Sequence, residues 1–197
     1  MLDAALRAAG TLSRAGVWVS GALFLAAAAL IAVDVTARKF FALSIGGSDE
    51  LSGYCLAMGA SWSFAFALLH RANIRVDALY KHLPRPAKAA LDLLALLALA
   101  VFMAVVAFYA FEVLANSVRL ASRANTPLQT PLWIPQGIWL AGLTFFLLTI
   151  FLVTLKALVH FMRGQFPAID RLAGLPSASE EVEDELAGAK ARMGDAG

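Results

Sequence analysis

The chain has 197 residues, of which 60% are hydrophobic and 15% charged, with a mean hydropathy of +0.74. A soluble domain carries about a quarter charged residues, so this balance excludes an ordinary water-soluble globule. A formal net charge of +2 is too small to point to nucleic acid, and the single cysteine, Cys55, excludes an internal disulfide and a cysteine-rich zinc or iron–sulfur site.

Four apolar stretches run roughly over residues 17–37, 51–69, 87–113 and 134–161. Each reaches the approximately 20 residues needed to cross the hydrocarbon, and the third and fourth are long enough to tilt or project beyond it. The expected fold is all-α: an integral membrane protein with four transmembrane helices and short interfacial amphipathic helices. Residues 1–16 form the first of those, 17–163 the transmembrane domain and 164–197 a partly disordered tail.

In the N-terminal segment, Leu2, Ala5, Leu6, Ala9 and Leu12 share one helical face while Asp3, Arg7 and Arg14 share the other. That pattern predicts a helix lying in the membrane interface. A cleaved signal peptide is the competing reading, but the apolar run is long for one and no clear small-residue cleavage site follows. Near the far end of the first span stands Asp34, with Arg38 four residues on. A carboxylate at membrane depth is a functional candidate by default, whereas an i,i+4 ion pair at a helix end is the structural alternative.

Ser48 is placed to cap the second span, with Asp49 and Glu50 at its positive dipole end. Within the span Gly53, Ala57, Ser61 and Ala65 form one row of small residues, and Cys55, Gly59, Ser63 and Ala67 form another. The bulky Tyr54, Met58, Trp62 and Phe66 run between them. At 100° per residue the two small rows lie on nearly opposite sides, so backbones can approach closely on both. Such a helix can be sandwiched inside the four-helix protein or, more naturally, packed against another subunit. Gly53, Ala57, Gly59, Ser61, Trp62 and Ser63 are the candidates for that contact.

The connection from His70 to Lys88 gathers five of the sixteen Lys and Arg residues. Val76, Leu79, Tyr80 and Leu83 recur on one face, Asp77 can cap the turn and Pro84 can end it, which predicts a short interfacial helix with Lys81 and His82 towards anionic lipid. Pro86 suits the first turn of the third span. At that span's other end Glu112 has Asn116 four residues on, again a structural pairing weighed against an ion-relay role. Turn residues follow at 122–125, Thr126-Pro127 and Thr130-Pro131, and Pro135 opens the fourth span. Trp133 and Trp139 sit where an interfacial aromatic belt belongs.

Ten basic residues flank the spans on the N-terminal side of the membrane: Arg7, Arg14, Arg71, Arg75, Lys81, Arg85, Lys88, Lys156, Arg163 and Arg171. The other side holds four, Arg38, Lys39, Arg119 and Arg123. The positive-inside rule therefore predicts both termini in the cytoplasm. His70 and His160 fall at comparable ends of their spans, a pattern a haem-binding bundle could use, although haem ligands belong deeper in the bundle. No Gly-rich phosphate loop, HExxH or nucleophile motif is present, so no enzyme activity and no cofactor are expected.

Four spans appear in order with Ser48-Asp49-Glu50-Leu51 opening the second and Gly59-Ala60 within it. Ile74-Arg75-Val76-Asp77 follows in the connecting hairpin, and Pro131-Leu132-Trp133-Ile134-Pro135 opens the fourth. In this order and spacing the chain resembles the small, DctQ-type membrane subunit of tripartite ATP-independent periplasmic (TRAP) transporters, from about the first span to the fourth. One position departs: Asn73 stands where the family usually has histidine, which argues against a histidine-dependent role in the hairpin and leaves the structural role of Asp77 intact.

The resemblance implies a non-enzymatic subunit in a bacterial inner membrane. A large DctM-type permease subunit would hold the substrate and sodium sites and move as an elevator, and a DctP-type periplasmic protein would deliver an organic acid. The small subunit would brace the fixed scaffold, with Asp34, Arg38, Asp49, Glu50, Arg75, Asp77, Glu112 and Pro135 in structural roles and membrane lipid around it. A haem-binding redox subunit and a self-contained small transporter are the alternatives; the latter needs inverted repeats with broken helices, and neither feature is visible in the sequence.

Overall fold

The computed structural model of the chain describes residues 1–72, 83–173 and 186. Among the described residues five helices follow in order: α1 (Leu2–Phe41), α2 (Ser48–Leu69), α3 (Arg85–Arg119), α4 (Trp133–Met162) and α5 (Phe166–Ala173). The first four are each long and apolar enough to cross a membrane. No strand is present among the described residues, whose one β feature is an isolated bridge between Arg123 and Pro131. The all-α membrane fold expected from the sequence is the fold observed.

The helices do not form a square. α1 packs on α2, α2 on α4 and α4 on α3, so α2 and α4 run through the middle and α1 and α3 flank them. Burial follows this order: 33% of the most apolar window of α4 is buried, against 17% for α1 and for α3. Ile150, Val153, Ala157 and Leu143 of α4 meet Ala65 and Leu68 of α2 and Leu96, Met103 and Ala110 of α3 in one apolar cluster. The outward faces stay apolar, with Trp18 and Leu25 on α1 and Val101, Phe102, Phe108 and Tyr109 on α3 all exposed. In water such a surface would aggregate; in a bilayer it faces acyl chains.

Residues 2–41 form one uninterrupted helix, so the segment 1–16 is not a separate surface helix. No proline breaks it, and Ala9, Ser13, Gly16 and Ser20 are buried along one stripe that continues into Ala27 and Asp34. The same packing face that holds the span therefore also holds its N-terminal extension. At the start of α1, Asp3 meets Lys156 of α4 at 2.7 Å.

The chain beyond α4 keeps its order for longer than its composition suggests. Gly164, at a φ of +65°, turns the backbone after α4 in the left-handed region that glycine tolerates best. α5 then packs on α3 and α4, burying Ile169 completely. The predicted interfacial helix of the hairpin, with Arg75, Asp77, Lys81 and His82, and the tail from residue 174, apart from Leu186, lie outside the described residues.

Candidate functional site

Two polar networks and one helix seam contain most of the residues singled out by the sequence. The first network surrounds Asp34. Its side chain is 1% exposed and forms the expected ion pair with Arg38. It also reaches across the α1–α2 connection: Oδ1 accepts the Ile45 N–H at 2.7 Å and Oδ2 accepts the Ser48 hydroxyl at 2.9 Å. Charge-assisted bonds of this kind contribute roughly 1.5–3 kcal/mol each and offset the cost of burying the carboxylate. Asp34 thus fixes the turn that starts α2.

Ser48 therefore acts differently from the cap expected of it. The N-cap position is Gly47, at a φ of +95°, and Ser48 is the first residue of the helix. Its hydroxyl is committed to Asp34, which draws the start of α2 towards α1. Asp49 and Glu50 do stand in the first turn of α2, where the dipole favours acids.

The second network joins the α1–α2 and α3–α4 connections. Glu50 accepts the Tyr54 hydroxyl at 2.8 Å and the Thr126 hydroxyl from the α3–α4 loop. That loop is itself closed by the Ala124 N–H on the Thr130 carbonyl at 3.0 Å and the Leu132 N–H on the Ser122 carbonyl at 3.1 Å. Pro127 and Leu128 lie against Gly46 and Gly47. Pro135 is buried in the first turn of α4, where a missing N–H costs nothing.

Glu112 stands apart from both networks. It is exposed on α3, and Asn116, its expected partner, accepts a hydrogen bond from Arg119 at 2.9 Å. Arg119 wins because it too is on that helix, three residues from Asn116, and its guanidinium is a charged donor.

The seam is built on α2. The small row containing Gly59 faces α1, where a Cβ added at Gly59 would lie 2.6 Å from the Phe24 ring. Ser61 faces α4, where a Cβ added at Gly142 would lie 2.5 Å from its hydroxyl and 2.8 Å from Trp62 Cδ1. Trp62 is held from both sides. Gly16 of α1 admits its backbone, with a hypothetical Cβ 3.1 Å from the Trp62 carbonyl. On α4 the Trp62 indole N–H donates to the Ile138 carbonyl at 3.1 Å, and its ring stacks on Phe145 at 6.0 Å between centroids. Beside this clasp opens an apolar groove of about 340 Å³ lined by Leu12, Val19, Leu23 and Met58.

Part of each small row is thus used inside the chain. Gly59 and Ser61 are buried by α1 and α4, and Ser63, half-buried, bonds the Gly59 carbonyl at 2.8 Å. The opposite expectation, that these positions serve another subunit, fails for Gly59 and Ser61 because the α1–α2–α4 order covers both sides of α2. Gly53 and Ala57 remain exposed, and no atom outside α2 lies within 4 Å of a Cβ placed on Gly53.

The sequence reading missed Asp92. It placed this residue within the apolar stretch 87–113 and gave it no role, yet Asp92 is 1% exposed on α3 and lines a small cavity with Arg85, Lys88 and Phe166. Neither Asp92 nor Lys88 is free. Lys88, one turn earlier on the same face, was the available signal. His70 and His160 serve helix ends: His70 Nδ1 lies 3.0 Å from the Phe66 carbonyl with its ring on Phe66, and His160 Nδ1 lies 2.7 Å from Gln165 Oε1.

Residues 12–163 match the model of the family described as tripartite ATP-independent periplasmic transporters, DctQ component. No curated protein and no solved structure matches the chain. The match takes in most of α1, the whole of α2, α3 and α4, both polar networks and the Trp62 clasp. The chain belongs to the DctQ family, the small membrane subunits of TRAP transporters, and is a transporter component, not an enzyme.

Proposed function

We propose that this subunit is the stationary brace of a sodium-coupled, binding-protein-dependent secondary transporter for organic acids in a bacterial inner membrane. Its partners are a large DctM-type permease subunit, which carries the substrate and sodium sites, and a DctP-type periplasmic binding protein. Both termini face the cytoplasm, as the distribution of basic residues favours. Of the small faces on α2, the outward one at Gly53 and Ala57 is the one we assign to the large subunit.

The observation that carries this reading is the engagement of Asp34. A coupling-ion site needs carboxylate oxygens free to replace the water around a cation. Both oxygens of Asp34 are occupied by Arg38, Ile45 and Ser48, and the residue is spent on holding α1 to α2. The networks at Asp34 and Glu50 stiffen the loops, as suits an element that resists a moving partner.

The test is uptake in proteoliposomes containing all three components, normalised to assembled complex, across a sodium titration. Asp34→Asn should reduce the amount of assembled complex, and what assembles should keep the parent's sodium half-saturation and substrate preference. A severalfold shift in sodium half-saturation would place this subunit in the ion pathway and end the brace reading.

A further inference from the structure

At the end of the bundle that carries the N-terminus, a groove of about 720 Å³ opens between α1, α2, α4 and α5. This is within the range of small-ligand sites, roughly 300–1,000 Å³. Its rim is cationic: Arg7 and Arg14 of α1 and Lys156 of α4 line it, with Asp3 as its acid. Arg7 and Arg14 are seven residues apart on one stripe of α1, which sets them about two turns, or 10 Å, from each other. Asp3 is claimed by Lys156 at 2.7 Å, and neither arginine has an ion-pair partner among the described residues. The groove therefore presents two guanidinium groups that form no ion pair among the described residues, with the Asp3 carboxylate acting on Arg7 only at longer range.

The floor is different. Leu6, Leu69 and Val153 line it with apolar surface. A free inorganic anion would use the arginines and gain nothing from these side chains. A molecule with a phosphodiester beside glycerol and acyl carbon would use both. The groove also lies where the apolar part of α1 begins, at the depth of the headgroup layer, and basic pockets between transmembrane helices at that depth suit anionic headgroups.

We propose that this groove binds the headgroup of an anionic glycerophospholipid, with Arg7 and Arg14 on the phosphate and Leu6, Leu69 and Val153 under the glycerol and first acyl carbons. The lipid joins the start of α1 to α4 beside the Asp3–Lys156 pair, which water weakens because Asp3 is exposed.

The experiment uses the full chain, delipidated in neutral detergent, titrated with short-chain phosphatidylglycerol, with phosphatidylcholine of the same chain length, and with inorganic phosphate. Phosphatidylglycerol should bind the parent at least tenfold more tightly than phosphatidylcholine, and phosphate at matching concentration should not displace it. Arg7→Gln/Arg14→Gln should weaken phosphatidylglycerol binding roughly twenty-five-fold, the product of two losses of roughly fivefold. Arg119→Gln, at the other end of the bundle, should leave binding unchanged. If the double variant does not fold, each single substitution carries the test through its own fivefold loss. Equal binding of the two lipids, or undiminished binding by the arginine variants, overturns the proposal; displacement by phosphate alone makes the groove an anion site and overturns the lipid assignment.

Discussion

Gly142→Ala is the smallest change that reads the seam between α2 and α4. A methyl there would sit 2.5 Å from the Ser61 hydroxyl, 2.8 Å from Trp62 Cδ1 and 2.9 Å from Ser61 Cβ. All three atoms belong to well-held groups: Ser61 donates to the Met58 carbonyl at 2.9 Å, and Trp62 donates to Ile138 and stacks on Phe145. Overpacking of this kind costs about 1–3 kcal/mol. Opposing it, Gly to Ala in a helix interior gains up to about 1 kcal/mol, so the net lies near 0–2 kcal/mol of destabilisation. Gly21→Ala isolates the opposing part, because no atom outside its own helix backbone lies within 4 Å of a Cβ there; it should be neutral or stabilising. The difference between the two variants is the overpacking itself. At about 2–4 °C per kcal/mol for a chain of this size, Gly142→Ala should melt several degrees below Gly21→Ala in the same detergent. Ser61→Gly should recover most of the loss when combined with Gly142→Ala, because it removes two of the three clashing atoms. If the two alanine variants melt together, or if the Ser61 and Gly142 changes simply add, the helices do not meet as described.

Thr126→Val removes the hydroxyl that the α3–α4 loop donates to Glu50; it should lower the melting temperature by a few degrees and raise amide exchange in residues 42–47, and unchanged exchange there would show that the two loops are not latched. Gly53→Leu and Ala57→Leu should weaken co-purification with the large subunit while leaving the isolated chain's melting temperature within a degree or two, whereas Gly59→Leu should destabilise the isolated chain through Phe24; the reverse ranking would move the interface off the outward face of α2. A reporter fused after Arg171 should behave as cytoplasmic and one inserted near Thr126 as periplasmic, and opposite results at both sites would invert the topology.

The spans were legible because membrane helices are written in length and apolarity, signals that do not depend on which neighbour is present. The match of expectation and structure at Pro86 and at Asp49 and Glu50 in the first turn of α2 has the same origin, because first turns are local; the cap expected at Ser48 did not match, because its hydroxyl goes to Asp34. Long-range partners were not legible. The Asp34–Arg38 pair was visible at i,i+4, but the Ile45 and Ser48 donors come from beyond the helix end, and only the fold of the turn brings them in. Glu50 and Thr126 are 76 residues apart, and no periodicity joins them. Of the two small rows of α2, Gly59 and Ser61 are covered by α1 and α4 while Gly53 and Ala57 stay exposed, a division that was not legible because a sequence does not say which helices flank which. Asp92 was lost for a different reason: its single charge vanished into an average over a long leucine-rich stretch.

The packing order has a consequence for how the chain is put together. α1 with α2 and α3 with α4 are each pairs of consecutive antiparallel helices, and each pair can close as soon as its second helix has entered the bilayer. Joining the pairs falls mainly to two parallel helices, α2 and α4, with Trp62 seated against Gly142 as the registering element. Assembly in the membrane is then a meeting of two prefabricated halves. The register of that meeting is set by one indole ring and one missing methyl group, so an error in sliding by a single helical turn would leave the ring without its notch.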